Sequence, residues 1–387
     1  MTPEQLAERY GFRRTLNAIG MPTIVGAHVA SAEVRAAVDA ILQMNVEIDE
    51  LQAAACRTIA RATGAEAGCA VSSTSAGLTI AAAAAMAGSD MAKIARLPQP
   101  VGERREMLLY HGHDVNFGAP ISQMLRLSGA EVVLLGTANH GDLYHLRGAL
   151  SERTAAVFYI VNGAVNQDGD FPPLADCVKL AREAGVPLVV DAAAEPDVRP
   201  FLAAGADLVI TSAHKQMGAP TSGMVCGRLD LVRACYLQHY GIGRAMKVGK
   251  EGVVGCMTAA EAWYGRDREA EAARWARLAE LFHAKLSAYR LPKTHRVAVP
   301  LPEGYPHSAR DLANRLRERQ PAVWVAGADD ARREIHLDLR VMSEADAVRI
   351  AEAVAAALEA AEAPREDVAY HDLYWSEQRL LAWPNWP

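Results

Sequence analysis

Short runs of β-branched and other apolar residues alternate with longer helical patterns between Glu131 and Ile210. This alternation constrains the fold more than any other feature, because strands joined through helices run parallel and form one sheet covered by helices. The predicted strands are almost continuously apolar, which is typical of strands buried on both faces. They are Glu131–Leu135, Ala156–Val161, Pro187–Val190 and Asp207–Ile210. The sequence therefore predicts an α/β fold with a mostly parallel sheet.

Helical patterns and one further strand complete the outline. Pro173–Ala184 carries its apolar residues on one face, and Asp267–Tyr289 predicts a long charged helix that links a large domain to a smaller one. Beyond it, Glu334–Leu339 alternates like a half-buried strand, and Glu344–Ala361 has the pattern of an amphipathic helix. We predict an N-terminal segment over residues 1–45 that packs with the small domain, a large domain over 46–265 and a small C-terminal α+β domain over 266–387.

Charge and hydropathy limit the classes of partner. With 387 residues, 51% of them hydrophobic, the chain can bury a large core. Its formal net charge of -6 gives no basic footprint, so nucleic acid and an anionic membrane are poor candidate partners. The apolar run Ala76–Ala87 is shorter than the roughly 20 residues that span a bilayer. A small soluble ligand is therefore the expected partner.

The cysteines and the N-terminus predict a location. Six cysteines are scattered without a C-x-x-C pair, which argues against a structural zinc site or a disulfide framework. The first twenty residues contain early acidic side chains and no apolar core, so they do not form a secretory signal. The sequence predicts a cytoplasmic protein with thiols in its core.

An acid and an amine follow two of the predicted strands. Asp191 ends Val189-Val190-Asp191, and Lys215 ends the stretch that runs from Leu208. Ligands bind at the carboxyl ends of the strands in an open α/β sheet, so we expect both side chains to face one crevice. A pyridoxal-phosphate (PLP) enzyme needs a lysine for the Schiff base and an acid that keeps the pyridine nitrogen protonated. Taken singly, Asp191 is equally well a helix cap and Lys215 a solvated lysine.

A phosphate site is the third requirement of PLP chemistry. The residues from Ser72 to Gly77 place small hydroxyl groups directly before an alanine-rich helix, whose N-terminus would bind phosphate. Ser212 and His214 lie close enough to Lys215 in sequence to contribute. The Ser/Thr run alone is an ordinary N-cap, but all three parts occur in the order that a PLP site requires.

A histidine follows the apolar run Met107–Tyr110. PLP enzymes commonly place an aromatic ring over the cofactor at this point, so His113 is a candidate for ring stacking. The alternative is that His113 caps the following helix. His111 and His113 have no recognisable third ligand nearby, and no metal site is predicted.

Several motifs between Asn17 and Tyr264 resemble one family. They are LNAIGMPTIVG, GAEAGCAVSSTSAG, QMLRLSGAEVVLLGTANH, VVDAAAE, SAHKQMGAPTSGMVCGR and GRAMKVGKEGVVGCMTAAEAWY. As a set they resemble the selenocysteine synthase (seryl-tRNA selenium transferase) and D-glucosaminate-6-phosphate ammonia-lyase group of fold-type-I PLP enzymes.

The resemblance implies an aspartate-aminotransferase-like fold, with a mostly parallel seven-stranded sheet in the large domain. It also implies PLP as cofactor and a homodimer or larger oligomer whose sites a second subunit completes. Lys215 is then the Schiff-base lysine and Asp191 the partner of the pyridine nitrogen. Thr74, Ser75 and Ser212 are then the phosphate contacts. We also predict cofactor contacts at Ala76, His113 and His214.

The chain departs from the family in two places. It lacks the N-terminal domain that selenocysteine synthases use on tRNA, so a tRNA substrate is not expected. The motif that reads TNRTH in many relatives is ANHGD here, at Ala138–Asp142, which predicts a difference in substrate recognition near that loop.

Three cationic residues are candidates for binding substrate. Arg340 follows the predicted strand HLDL, a position from which fold-type-I enzymes grip a substrate carboxylate. The alternative is a surface arginine at a strand end. Arg244 and Lys247 could reach a phosphate or substrate of the neighbouring subunit.

These features predict a PLP-dependent lyase of amino acid metabolism. The reaction would be β-elimination or ammonia release from a small amino acid, including D- and hydroxy amino acids, through a Cα carbanion with Lys215 as the base. Racemase, aldolase and aminotransferase reactions are the alternatives on the same scaffold. A protein of the same fold that binds a partner without catalysis is the remote one.

Overall fold

The computed structural model describes residues 1–161, 170–291, 294–360, 381 and 383. The chain forms two compact units: His28–Arg266 makes the larger one, and Met1–Ala27 joins Asp267–Pro387 in the smaller one. Among the described residues, none of the helices combines the length and apolar composition that a membrane span requires.

The strands of the described residues are β1 (Thr15–Ala18), β2 (Ala67–Val71), β3 (Glu106–Tyr110), β4 (Glu131–Leu135), β5 (Thr154–Ile160), β6 (Leu188–Asp191), β7 (Leu208–Thr211), β8 (Gly223–Gly227), β9 (Tyr289–Arg290), β10 (Arg296–Pro300), β11 (Ala322–Val325), β12 (Gly327–Asp329) and β13 (Glu334–Asp338). The helices are α1 (Pro3–Tyr10), α2 (Ala32–Leu42), α3 (Ile48–Thr63), α4 (Thr74–Ala87), α5 (Met91–Arg96), α6 (Ile121–Arg126), α7 (Leu143–Ala149), α8 (Leu174–Glu183), α9 (Arg199–Ala203), α10 (Leu229–Leu237), α11 (Lys250–Tyr264), α12 (Arg268–Leu286), α13 (Ala309–Glu318) and α14 (Glu344–Glu359). Short 3₁₀ turns occur at Thr23–Val25, His111–His113, Gln238–Tyr240 and Ile242–Met246.

The larger unit is built on a seven-stranded sheet in the order β2-β8-β7-β6-β5-β3-β4. Neighbouring strands from β7 to β4 are parallel, and β8 runs antiparallel to both β2 and β7. The predicted mostly parallel, aspartate-aminotransferase-like sheet is confirmed. Because β3, β5, β6 and β7 point the same way, their carboxyl ends share one edge of the sheet.

The predicted strands and helices of this unit are present with small shifts at their ends. β4 coincides with the predicted Glu131–Leu135, whereas β6 and β7 begin and end one residue later than predicted. Of the four predicted strands, β5, β6 and β7 are buried almost throughout. β4 is less buried because it lies at the edge of the sheet. The edge position explains why the side chains of β4 are only partly covered.

Small residues let α4 lie directly on the sheet. The helix is almost entirely buried, and a Cβ atom on Gly77 would come within 2.6 Å of Ile210 Cγ2. A second apolar layer on the other face of the sheet includes Ile59 of α3 and Val253 of α11. Both faces are covered, which is the reason that the strands read as continuous apolar runs.

The smaller unit has its own core. β12, β13, β10 and β9 form a four-stranded antiparallel sheet, and β1 pairs in parallel with β11. α12, α13 and α14 contribute apolar side chains such as Phe282, Leu312 and Ile350 to one cluster with these strands. The predicted α+β character of the smaller domain is confirmed.

The N-terminal part of the smaller unit ends at Ala27, whereas the N-terminal segment predicted to pack with the small domain extends to residue 45. The reason is α2, which packs against α11 and therefore belongs to the larger unit. At the other division, Asp267 is the N-cap of α12, and its carboxylate accepts hydrogen bonds from the N–H groups of Glu269 and Ala270.

Candidate active site

Two neighbouring parallel strands bring Asp191 and Lys215 to one edge of the larger unit's sheet. Asp191 is the last residue of β6 and pairs in register with Ile210 of β7. Lys215 follows the end of β7 by four residues, in a turn where its N–H donates to Ser212 Oγ at 3.2 Å. Both side chains therefore emerge where ligands bind in sheets of this class.

Burial shifts the pKa of each group in the direction that favours its neutral form. Asp191 is buried, and this raises the pKa of its carboxyl to about 6, although the Ala193 N–H and the charge of Lys215 act in the opposite direction. Burial likewise lowers the pKa of the Lys215 amine, and the charge of Asp191 only partly restores it. The edge thus holds an amine that loses its proton readily and a carboxylate that lacks a full cationic partner.

The N-terminus of α4 forms the candidate phosphate site. Ser73 is the N-cap, and its Oγ accepts a hydrogen bond from the Ala76 N–H at 3.0 Å. The hydroxyl of Thr74 is buried and has no hydrogen-bond partner in the part of the chain that the structure describes. A phosphate would give this hydroxyl a partner and meet the N–H groups of the helix end.

Gly223 of β8 lies directly against the start of α4. A Cβ atom on Gly223 would lie 3.0 Å from Thr74 N and from Thr211 O, so β8 closely approaches the start of α4. The first turn of α4 therefore lies beside the end of β7, near Asp191 and Lys215 in the order of the sheet. Among the predicted phosphate contacts, the N–H of Ala76 already donates to the Ser73 side chain. Thr74 and Ser75 lie between these two residues in the first turn of the helix.

The segment around Lys215 is tied to the segment after Asp191. Thr211 Oγ1 donates to the Ala192 carbonyl at 2.9 Å, and the side chain of Gln216 donates to the Ala194 carbonyl. Ser212 is buried, and the N–H of His214 donates to the Ser222 carbonyl at 3.2 Å. These links fix the two loops that present the acid and the amine.

Sequence reasoning missed Gln216 and the role of Thr211 in these links. Gln216 is almost fully buried, and its carbonyl lies 3.1 Å from His28 Nδ1. A polar residue directly after a motif lysine, in a loop expected to be buried, was the available signal. Its partners could not be read from the sequence because they belong to other segments.

His113 lies in an aromatic cluster beside β5. The ring is buried and makes edge contacts with Tyr159 at 4.7 Å and with Tyr110 at 5.6 Å between centroids. Its Nδ1 accepts a hydrogen bond from the Ile160 N–H at 3.4 Å, and burial lowers the pKa of His113 to about 4. The ring is therefore neutral, and its stacking role stays a prediction.

The alternative role of His113 as a cap of the following helix is wrong. Asp114 takes that role, because its Oδ1 accepts a hydrogen bond from Ser122 N at 2.7 Å in the first turn of α6. The shorter aspartate side chain reaches the helix N-terminus, whereas His113 turns toward β5.

The loop Ala138–Asp142 packs beside the His111–His113 turn. A Cβ atom on Gly112 would lie 2.5 Å from the Ala138 carbonyl oxygen and 2.2 Å from Phe171 Cζ. The ANHGD motif therefore lies next to the turn that carries His113.

Arg340 lies in the smaller unit and is held by Asp338. Its Nε and NH2 groups donate to the two carboxylate oxygens of Asp338, at distances from 2.7 to 3.2 Å. Gly20 closely approaches this pair, since a Cβ atom there would lie 2.8 Å from Asp338 Oδ2. One edge of the guanidinium is therefore committed within the unit, and a role in substrate binding stays a prediction.

Arg244 and Lys247 line a cavity of the larger unit whose lining includes none of the predicted cofactor residues. The structure therefore does not place them on the Asp191–Lys215 pair. Among the described residues, no group of three or more His, Cys, Asp or Glu side chains is arranged to hold a metal ion.

Comparisons with known proteins identify the family. The SelA family model, described as L-seryl-tRNA selenium transferase, matches residues 22–293. The D-glucosaminate-6-phosphate ammonia lyase of Salmonella typhimurium (strain 14028s / SGSC 2262) is 38% identical over 73% of this chain and 76% of its own. A 5'-C-glycyluridine monooxygenase-decarboxylase of a Streptomyces species is 36% identical over 82% of this chain and 83% of its own.

Solved structures extend the similarity to the fold. A structure of D-glucosaminate-6-phosphate ammonia-lyase superposes with a TM-score of 0.85 at 34% identity, covering 93% of this chain and 99% of that one. A structure of SPT with PLP has a TM-score of 0.54 at 15% identity, covering 89% and 86%, and shows the shared fold alone. The predicted resemblance, fold, cofactor and lyase class are confirmed. The chain belongs to the SelA family, and it is a PLP-dependent enzyme.

Proposed function

We propose that this chain is a PLP-dependent lyase that releases ammonia or a β-substituent from a small amino-acid-type substrate. The observation that carries the proposal is the juxtaposition of the buried Asp191 carboxylate and the Lys215 amine at one sheet edge, each with a shifted pKa. Similarity to an ammonia lyase along 93% of this chain supports the same type of reaction.

The described residues fit the cofactor at its phosphate and at its ring nitrogen. We assign Thr74, Ser75 and Ser212 to the phosphate, with His214 nearby, because Thr74 offers a buried hydroxyl that lacks a partner among the described residues. Asp191 would hold its carboxylate toward the ring nitrogen, whose positive charge would complete its environment. When bound, PLP supplies a sink for the electron pair that remains at Cα after a bond to that carbon breaks.

Lys215 is the residue that we propose as the base. Its lowered pKa leaves more of the amine neutral near pH 7, which is the form that accepts a proton from Cα. The Ser212 hydrogen bond to its backbone holds the turn that carries the amine. Asp191 stabilises positive charge nearby and does not itself exchange the substrate proton.

The relatives narrow the substrate class. D-glucosaminate 6-phosphate and the seryl group share an amino group next to a carbon that bears a hydroxyl. We therefore propose a β-hydroxy-α-amino acid as the substrate. Removal of the Cα proton and loss of the Cβ hydroxyl as water leave an enamine, and its hydrolysis yields ammonia and a 2-oxo acid.

A second candidate is oxidative decarboxylation. The relative named as a monooxygenase-decarboxylase matches a larger share of this chain than the ammonia lyase does, 82% against 73%. This reaction would consume O₂ and release CO₂ from the substrate carboxylate. Racemase, aldolase and aminotransferase reactions keep the same cofactor and lack a comparable observation here.

One experiment separates these reactions. Purified enzyme is incubated with D-glucosaminate 6-phosphate, D-glucosaminate, D-serine and L-serine, with and without O₂, and ammonia, 2-oxo acid and CO₂ are measured. The lyase releases ammonia and 2-oxo acid in equal amounts without O₂. Activity that requires O₂ and yields CO₂ would establish the second candidate instead.

Cofactor attachment is tested separately. Borohydride reduction followed by peptide mass spectrometry should add the PLP mass to the peptide that contains Lys215. Lys179→Ala, at an exposed lysine of α8, is the matched control and should keep the modification. Modification of another lysine would refute the assignment of Lys215.

We further propose a cytoplasmic homodimer or larger oligomer that does not bind nucleic acid. The six cysteines are free thiols, and five of them are buried, which suits a reducing compartment. Sedimentation of the active enzyme as a monomer would contradict the proposed oligomer. Binding of tRNA at physiological salt would contradict the proposal that the enzyme does not bind nucleic acid.

A further inference from the structure

Alternate carbonyl groups of the loop after Asp191 accept hydrogen bonds from side chains of other segments. The donors come from the end of β7, from the turn that carries Lys215 and from α11. The donors and the residues whose carbonyls accept are Thr211 with Ala192, Gln216 with Ala194, and Trp263 with Pro196. Side chains from three separate segments of the larger unit therefore hold this loop in place.

Two of these hydrogen bonds lie on either side of the group that binds Asp191. The Ala193 N–H donates to Asp191 Oδ1 at 2.9 Å. Thr211 holds the carbonyl of the preceding residue, and Gln216 holds the carbonyl of the following one. Because a hydrogen bond weakens steeply when its donor turns away, the interaction of Ala193 with the carboxylate depends on both of these bonds. Gln216 thus acts on Asp191 through the backbone of the loop.

Gln216 also belongs to the turn that carries Lys215. The Lys215 N–H donates to Ser212 Oγ at 3.2 Å, and the Gln216 carbonyl oxygen lies 3.1 Å from His28 Nδ1. A carbonyl oxygen only accepts hydrogen bonds, so this nitrogen of His28 carries a proton and donates it. The main chain is therefore anchored on both sides of the Lys215 Cα atom, and the amine moves by rotation of its own side chain.

Close packing keeps Gln216 in this position. Its side chain is buried, and Gly218 adopts a φ of +70°, a conformation that strains residues with a Cβ atom. A Cβ atom on Gly218 would lie 3.4 Å from His28 Nδ1 and 3.3 Å from the Val29 carbonyl oxygen. The glycine lets the turn lie directly against the His28 segment, which brings the Gln216 carbonyl to the imidazole.

We propose that Gln216 is a positioning residue that sets the spacing between the Asp191 carboxylate and the Lys215 amine. Its side chain holds the loop of the acid, and its main chain is part of the turn of the amine, so a displacement of either segment moves the other. Trp263 holds the same loop from α11, far along the chain from Lys215. The inference rests on the proposed function, in which both groups contact one cofactor.

The spacing matters because PLP is a rigid ring. Under the proposed function, Asp191 faces the ring nitrogen while Lys215 attaches at another point of the same ring. A displacement of about 1 Å in such a site can cost on the order of 100-fold in rate. Loss of the Gln216 hydrogen bond would therefore slow attachment of the cofactor even if the fold stays intact.

Attachment of PLP to the cofactor-free enzyme tests the proposal without a substrate. Samples are quenched with borohydride at timed intervals, and peptide mass spectrometry measures the modified fraction of Lys215. Gln216→Met keeps the length of the side chain but cannot donate, and its attachment rate should fall roughly tenfold or more. Trp263→Phe is the matched control. It removes one donor to the same loop at an exposed carbonyl that water can reach, so its rate should stay within about threefold of the wild type.

A double-mutant cycle with Asp191→Asn separates positioning from damage to the fold. If Gln216 acts through the spacing of the two groups, Gln216→Met should slow attachment by less than about threefold once the carboxylate is gone. A loosened fold would instead give the same loss in both backgrounds, and that result would overturn the proposal. Gln216→Asn keeps the amide but is one methylene group shorter, and it should be as slow as Gln216→Met.

The outcomes distinguish this inference from the proposed function. PLP trapped on a lysine other than Lys215 would refute the proposed site and the role of Gln216 together. Attachment to Lys215 at equal rates in the wild type and Gln216→Met would overturn the role of Gln216 alone. An equal loss in Trp263→Phe would also overturn it, because the effect would then belong to the whole loop. Urea unfolding of the cofactor-free variants should show that each one is folded before PLP is added.

Discussion

Asp191 in the larger unit and Asp338 in the smaller one are both buried aspartates at strand ends, 5% and 0% exposed, yet their pKa values shift in opposite directions. Burial raises the pKa of Asp191 to about 6. Burial also acts on Asp338, but hydrogen bonds from His295 and Arg340 outweigh it and hold the pKa of that carboxyl well below its usual range.

The two aspartates differ in whether the protein itself compensates the buried negative charge. Asp338 has its cation, Arg340, within the same unit. Asp191 accepts one backbone N–H and interacts with an amine that burial itself makes less basic. An incompletely compensated carboxylate is costly to the fold and useful to a cofactor that brings a positive charge.

The largest expected effect concerns the amine beside Asp191. Lys215→Ala removes the proposed base and should lower the rate of ammonia release by roughly 10³-fold or more. Ammonia release under saturating substrate is the measurement, with Lys179→Ala as the control. Near wild-type turnover of Lys215→Ala would leave the raised pKa of Asp191 without a catalytic explanation.

The second prediction breaks the compensated pair. Asp338→Asn leaves Arg340 without its carboxylate and should lower the free energy of unfolding by about 3 kcal/mol. Urea unfolding measures this change. Asp330→Asn, which removes a more exposed ion pair with Arg310, is the control and should cost less than about 1 kcal/mol. Equal losses in the free energy of unfolding would mean that burial does not strengthen the Asp338–Arg340 ion pair.

The third prediction removes the uncompensated charge. The pKa of Asp191 rises from 3.8 in its ordinary state to about 6 in the folded chain. The folded chain therefore binds more protons between these values, and stability falls as pH rises through that window. In the cofactor-free protein, Asp191→Asn should raise the free energy of unfolding at pH 7 by about 2 to 3 kcal/mol.

The same variant should bind PLP more weakly, because the amide cannot balance a positive ring nitrogen. Urea unfolding of the cofactor-free chain and a PLP titration measure the two effects. A cofactor-free Asp191→Asn chain that is less stable than the wild type would show that the carboxylate is already compensated.

The fourth prediction concerns His113, whose effect on stability changes with pH in the direction opposite to that of Asp191. Burial lowers the pKa of His113 from 6.5 to about 4, so the unfolded chain binds more protons in this window. Its contribution to stability is present above pH 6.5 and is lost as pH falls toward 4, by up to about 3 kcal/mol. In the Asp191→Asn background, His113→Asn should flatten the remaining pH dependence of urea unfolding. A slope unchanged by His113→Asn would assign the acid sensitivity to other groups.

The smallest expected effect concerns Arg340. Arg340→Lys keeps the charge but loses the planar fork, and it should raise the KM for an amino acid substrate about tenfold, or about 1.4 kcal/mol. Steady-state kinetics measure it, with Arg310→Lys in the same unit as the control. An unchanged KM would restrict Arg340 to its ion pair with Asp338.

The sequence predicted the sheet and the proximity of the two candidate site residues at one of its edges. Continuous apolar runs require strands buried on both faces, and the carboxyl ends of parallel strands share an edge, so Asp191 and Lys215 could be placed together without a structure. The positions after strands also identified the hydroxyl-rich turn at Thr74. Local patterns sufficed because hydrophobic periodicity and chain direction fix these features.

The partners of the buried charges depend on tertiary contacts. The pairing of Arg340 with Asp338, the links made by Gln216 and the packing of α2 on α11 depend on contacts between segments or on side-chain direction, which periodicity does not encode. The Arg244 cavity likewise gathers residues from three separate helices and turns. Burial and the positions of charged partners set the pKa of each group, and both are properties of the packed chain. The pKa values of two aspartates at strand ends therefore shift in opposite directions.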